Sequence, residues 1–205
     1  MLPSPDYRAI LTRSILSAFA ATILVWNSPA YAINVDVTTM INNLAANVPN
    51  LMRLTTAIAY VMGIFFIMVA IMGLKHFGES RTQMTAEHSL KAPGIYFFVG
   101  LALLYLPDSV WVGLDTFWQT PTPYAYVTGA TDQWSVLLNN SYSIIQLIGT
   151  IAFIRGLLIL NSFAGHGGGQ QNALGKALAH LAGGIFCINI QQTIQMLQAT
   201  LGISS

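Results

Sequence analysis

The chain has 205 residues, 54% of them hydrophobic and only 7% charged, with a formal net charge of +1. Soluble domains carry about 25% charged residues, so this composition excludes an ordinary water-facing surface and asks for a non-aqueous solvent, the lipid bilayer. The near-neutral balance leaves no direct nucleic-acid contact to expect, and the single cysteine, Cys187, excludes an internal disulfide.

Residues 1–32 read as a secretory signal peptide. Arg8 and Arg13 supply a basic start, Ile15 to Trp26 a short apolar core, and Ala30-Tyr31-Ala32 after the helix breaker Pro29 an A-x-A cleavage site. The alternative is an uncleaved anchor, for which the apolar core is short. Cleavage after Ala32 places the new N-terminus outside the cytoplasm. A signal sequence followed by membrane spans points to a bacterial inner membrane. Residues 33–53, with Asn42, Asn43, Asn47 and Pro49, read as a short periplasmic segment, in part an amphipathic helix.

Residues 54–114 read as a first transmembrane hairpin. Leu54 to Leu74 carries no charge and is long enough to cross the hydrocarbon core. The loop from Lys75 to Lys91 holds His76, Glu79, Arg81, Glu87 and His88. The return span starts near Pro93, where a proline in the first helical turn sacrifices no hydrogen bond. It meets Pro107-Asp108 after Leu106, which predicts a kink or an early end there. Residues 115–141 form a periplasmic loop in which Trp118, Tyr124, Tyr126 and Trp134 favour the headgroup layer, with Trp111 and Tyr142 beside it.

A second hairpin occupies 142–200. Tyr142 to Leu160 is a span interrupted by Arg155, Asn161 to Gly175 is a glycine-rich turn, and a weaker span runs from Ala177 to about Gln198. Residues 201–205 are a C-terminal tail. The fold class expected is therefore an all-α integral membrane protein of four transmembrane helices in two hairpins. Lys and Arg in the Lys75–Lys91 loop and at Lys176 put those ends in the cytoplasm. The opposite loop has Asp115 and Asp132 but no Lys or Arg, so the mature N- and C-termini are periplasmic, and Arg53 is the one basic residue on that side.

The hairpins can be laid on each other as a parallel repeat. Gly63 to Phe77 pairs with Gly149 to Phe163, and Leu90 to Tyr96 pairs with His180 to Phe186. The matches are Gly63, Leu74, Phe77, Ala92, Gly94 and Ile95 with their partners. Apolar composition alone also produces some matches.

Three features stand out for function. Small residues at helical spacing allow close helix approach in lipid: Ala59 and Gly63, Ala152 and Gly156, and the ladder Gly175, Ala179, Gly183. They serve either packing within the chain or a subunit interface, so a homo-oligomer is one open outcome. A polar stripe, Lys176, His180, Gly184, Cys187, Gln191, Gln195 and Gln198, shares one face of a continuous fourth helix. Such a face packs, lines a conduit or meets another subunit, because unpaired polar groups do not face hydrocarbon. Arg155 is an intramembrane charge, near enough to Leu160 for its side chain to snorkel to the headgroups.

Other motifs fail. Gly169 to Lys176 has the wrong spacing for a phosphate loop, with Ala177 where Ser or Thr belongs. His166-Gly-Gly-Gly169 has no nucleophile elbow to serve. His76, His88, His166 and His180 lack zinc-ligand spacing. No catalytic residue, metal or cofactor is implied, and an enzyme is not expected.

The signal peptide, the paired hairpins and Ala177-Leu-Ala-His180-Leu-Ala-Gly-Gly184 followed by Asn189 resemble the IcmC/DotE family of type IVB (Dot/Icm) secretion systems. That family has a TraQ-like relative in IncI-type conjugation systems. The likeness covers most of the mature chain, and the smaller IcmD/DotP proteins look like single hairpins of this kind. The resemblance implies a non-enzymatic inner-membrane component of a machine exporting protein or DNA, with the bilayer and other secretion-system membrane proteins as partners. It carries no site residues over. Rival readings are a pilin-like subunit that polymerises, and a small channel or transporter built on Arg155 and the polar stripe.

Overall fold

The computed structural model describes residues 36–82, 90–119, 121, 132–164 and 171–203. The predicted signal peptide, the middle of the aromatic loop and the glycine-rich turn at 165–170 lie outside the described residues. Every regular element among the described residues is an α-helix: α1 (Val37–Thr82), α2 (Lys91–Leu104), α3 (Leu106–Phe117), α4 (Gln133–Ala164), α5 (Gln171–Ile188) and α6 (Ile190–Leu201). Two helices, α1 and α4, are long and apolar enough to cross a membrane. The count rises to four if each bent pair, α2 with α3 and α5 with α6, makes one span.

Helix α1 has 46 residues, about 69 Å at 1.5 Å per residue. That exceeds the ~30 Å hydrocarbon core, so α1 extends well beyond its apolar run. The segment predicted at 33–53 is accordingly no separate element from Val37 onward. It continues the span through Pro49 as one helix, because the polar run is made of helix-compatible Asn, Leu and Ala, and one proline removes a single ladder bond. Helix α4 likewise begins at Gln133 and takes Trp134 to Ser141 out of the predicted aromatic loop. The Asn140 side-chain amide donates to the Asn42 side-chain oxygen, which ties these two extensions together.

The return arm of each hairpin is broken by one residue. Helix α2 ends at Leu104 and α3 starts at Leu106, bent by 94°; α5 ends at Ile188 and α6 starts at Ile190, also bent by 94°. Tyr105 (φ −103°, ψ 46°) and Asn189 (φ −112°, ψ 51°) take the same backbone conformation. Around each bend the hydrogen bonds repeat. Tyr105 N–H donates to Leu101 O at 2.9 Å and Asn189 N–H to Ile185 O at 3.2 Å. Past the bend, the Ser109 hydroxyl reaches back to Ala102 O at 3.0 Å, and the Thr193 hydroxyl shares its one proton between Phe186 O at 3.0 Å and Asn189 O at 2.8 Å. Each hydroxyl satisfies a carbonyl that the helix end would otherwise orphan. Pro107 is therefore not the cause of the break it follows, since Gln191 holds the matching place in the second arm.

These geometries support the duplication but correct its register. Gly63 matches Gly149, as the sequences suggest. In the return arms, however, Gly184 answers to Gly100 rather than to Gly94, Asn189 to Tyr105 and Thr193 to Ser109. The alignment on Gly94 and Ile95 matched identical letters at positions that are not equivalent. If the hydroxyl stitch holds the bend, Ser109→Ala and Thr193→Val should each cost about 0.5–1.5 kcal/mol through the loss of a part-buried hydrogen bond. Chemical unfolding in detergent would measure the loss, and a cost below the error of that measurement would remove the stitch from the account.

The two hairpins share one apolar core. Val99 and Leu103 of α2, Leu106, Val110 and Leu114 of α3, Phe153, Ile154 and Leu157 of α4, and Ile185 and Ile188 of α5 are all buried there. The far end of α3 lies over α5. Phe117 and Phe186 have ring centroids 4.9 Å apart, and Trp118 meets Phe186 edge-on at 5.8 Å. At the opposite end Lys91 Nζ sits 3.8 Å from the Phe163 ring centroid, a cation–π contact between the start of α2 and the end of α4.

Candidate functional site

Each hairpin is held by a pair of glycines at a backbone-to-backbone crossing. A Cβ placed on Gly63 would lie 2.8 Å from Leu104 N and 2.9 Å from Gly100 O; one on Gly149 would lie 2.8 Å from both Gly184 O and Ile188 N. Seen from the return arms, a Cβ on Gly100 would lie 3.0 Å from Gly63 O and Ile67 N, and one on Gly184 2.8 Å from Gly149 O and Phe153 N. Main-chain atoms cannot rotate away, so only glycine fits at these four places.

The small residues singled out by spacing divide into two groups. Ala59 and Gly63 are buried, and Gly156 packs against Leu181, whose backbone nitrogen would lie 2.9 Å from a Cβ placed there. Ala152, between Gly149 and Gly156 on α4, is half-buried. By contrast, Gly175, Ala179 and Gly183 are exposed on α5, and a Cβ on either glycine would meet nothing within 4 Å. That ladder faces away from the rest of the fold. Gly100 and Gly149 were not picked out as packing residues, since Gly100 has no small neighbour four positions away to mark it and Gly149 was read only as a repeat match. The partner across the crossing identifies both.

The polar stripe is not one face. The break at Asn189 turns α6 by 94° away from α5, which leaves Lys176, His180, Gly184 and Cys187 on one helix and Gln191, Gln195 and Gln198 on another. Within the first group Gly184 and Cys187 pack on Gly149 of α4, while Lys176 is exposed and its carbonyl lies 2.8 Å from His180 Nδ1. Gln195 and Gln198 are exposed on α6. A stripe that turns a right angle and is filled by α4 at its middle does not make a continuous polar wall. Arg155 is exposed on α4.

A further feature escaped the sequence: a cavity of about 920 Å³ between α1, α3 and α4. Val48, Leu106 and Val110 form a buried apolar floor, and Tyr60 and Val61 stand exposed along its rim. Two polar side chains enter from α4. Thr150 donates its hydroxyl to Gln146 O at 3.0 Å. Gln146 is 4% exposed, and its side-chain Nε2 has no hydrogen-bond partner. Arg53 lines the same cavity from α1 and is exposed. Nothing in local spacing marks this site, because its walls come from three helices far apart in the chain. Among the described residues no three His, Cys, Asp or Glu side chains converge as metal ligands would. No protein-family model, curated protein or solved structure matches the chain.

Proposed function

We propose that the chain is a non-enzymatic structural component of the inner-membrane part of a type IVB secretion or conjugal transfer apparatus, multi-pass with periplasmic mature termini. One observation supports this reading above the others. The residues that carry the resemblance, Ala177 to Gly184 and Asn189, are those that shape the second hairpin: Gly184 sits at the backbone crossing and Asn189 at the bend. The likeness is thus one of architecture, which suits a protein whose work is to be a shaped part of a larger assembly. The channel reading loses its main support with the division of the polar stripe.

The outward ladder of α5 is the face on which such an assembly would pack, since small residues are where helices in lipid come together. Affinity purification from native membranes is expected to recover other membrane proteins or ATPases of a secretion apparatus. Gly175→Leu with Gly183→Leu should lower that recovery roughly tenfold, the size of a 1–2 kcal/mol helix contact, without lowering thermal stability, since both positions are open and leucine is the better helix former. Recovery of the protein alone would count against the proposal.

A further inference from the structure

We propose that the bend at Asn189 is a hinge with a second, straight setting, in which α5 and α6 form one helix zipped along the N-terminal half of α4, whereas the bend at Tyr105 is fixed. The antiparallel register of the second hairpin leads to this. Gly156 packs against Leu181, Phe153 against Gly184 and Gly149 against Ile188. Each step of three or four residues back along α4 meets an equal step forward along α5, the spacing of a two-helix seam. Carried past Ile188 in the same register, the seam sets Gln191 opposite Gln146, Gln195 opposite Tyr142 and Gln198 opposite Asn139. Three glutamines thus meet three side chains that both donate and accept hydrogen bonds, the kind of pairing that joins helices inside a membrane. The lengths agree as well: an unbroken arm from Gln171 to Leu201 matches the 32 residues of α4.

The bent setting leaves buried groups short of partners, which is costly. Asn189 is fully buried and its amide donates to Gln192 Oε1, yet its own Oδ1 has no partner. Exchanging the two ends of the amide would only move the deficit to its nitrogen. Gln146 Nε2 is likewise buried without a partner. The N–H groups of Ile190 and Gln191, in the first turn of α6, have no acceptor within their own helix; a straight arm gives them Phe186 O and Cys187 O. Against this stand the burial of Thr193 and its hydroxyl stitch, so the two settings lie close in free energy. From Ile185 to Leu201 the arm has neither proline nor glycine, and its backbone accepts a continuous helix. The first arm differs. Pro107 follows its bend, where the missing N–H and the ring oppose a continuous helix. The register there, Gly63 against Leu104 and Ile67 against Gly100, would also carry Arg53 onto Leu114, a charge against an apolar side chain.

The test places nitroxide labels at Trp134→Cys and Leu201→Cys, both exposed, on the full chain carrying Cys187→Ser, in lipid nanodiscs. Dilution with unlabelled protein restricts the readout to distances within one chain. In the bent setting the two sites are about 30 Å apart, the diagonal of ~18 Å along α6 and ~22 Å along α4 from Gly149. Zipped, they are about 10 Å apart, the spacing of packed helices. Electron paramagnetic resonance should show mostly the long distance with a minor short one. Asn189→Ala, which removes the unpaired carbonyl and favours helix, should raise the ratio of short to long roughly tenfold. Gln191→Pro, which copies Pro107 at the matching place, should abolish the short distance and keep the long one. A single long distance in both the parent chain and Asn189→Ala, or a short distance that survives Gln191→Pro, would overturn the hinge.

Discussion

Replacing Gly149 or Gly184 by alanine should destabilise the protein by about 1–2 kcal/mol, and replacing either by leucine by about 3 kcal/mol or more. The sign is not obvious in advance, because two effects compete. Alanine is the better helix former by about 1 kcal/mol, so in open surroundings the substitution stabilises. Here the new methyl would stand 2.8 Å from Gly184 O and Ile188 N, or from Gly149 O and Phe153 N. Those neighbours belong to hydrogen-bonded main chain, and relief requires the helices to move apart along much of their length. That strain, about 1–3 kcal/mol for ordinary overpacking and more where backbone resists, outweighs the gain in propensity. Gly63 and Gly100 should behave alike, since their distances are nearly the same.

Gly175 and Gly183 supply the contrast. With nothing within 4 Å of either, Gly→Ala there should raise stability by about 0.5–1 kcal/mol. Thermal unfolding followed by circular dichroism in one detergent would rank all six positions. A rise on Gly149→Ala or Gly184→Ala would mean that the crossing is looser than the geometry requires.

The same six glycines mark what could be read from the sequence. The hydrophobic runs located both long spans, because a run of apolar residues has one stable setting in a bilayer whatever its neighbours do. Spacing also found Gly63 and Gly156, whose small partners lie on the same helix. It placed the ladder at Gly175, Ala179 and Gly183 in the same class, although these residues face outward, since a pattern on one helix does not say which way that helix turns. The right-angle breaks were legible only in part. Pro107 drew attention to the first, but the bend belongs to Tyr105 and its stitch from Ser109, and no proline announces the second. A single helix was therefore assumed from Ala177 to Gln198, and with it a continuous polar stripe. The cavity between α1, α3 and α4 was illegible for a different reason: Arg53, Leu106 and Gln146 come together only through packing.

The bends also set how the chain must sit in its membrane, and this leads to an all-or-none labelling result. Helix α2 has 14 residues and α5 has 18, about 21 and 27 Å, both short of a ~30 Å core. Each packs along a full-length span, α1 or α4, through its glycine crossing. If those spans run near the membrane normal, the 94° bends lay α3 and α6 along the membrane surface. Their sequences suit that position. On α3, Leu106, Val110 and Leu114 are buried while Asp108 and Asp115 are exposed. On α6, Ile190, Ile194, Leu197 and Leu201 share one side and Gln191, Gln195 and Gln198 another. In a Cys187→Ser background, single cysteines at Asp108, Asp115, Gln195 and Gln198 should therefore react with an impermeant maleimide added outside intact cells. Cysteines at Ile194, Leu197 and Leu201 should stay unreacted until the membrane is dissolved. A straight arm leaving the bilayer predicts instead that every position beyond the headgroups reacts, with no helical period. Periodic labelling confined to one side of the membrane follows only if both arms bend at the surface and both hairpins point the same way, as a parallel duplication demands.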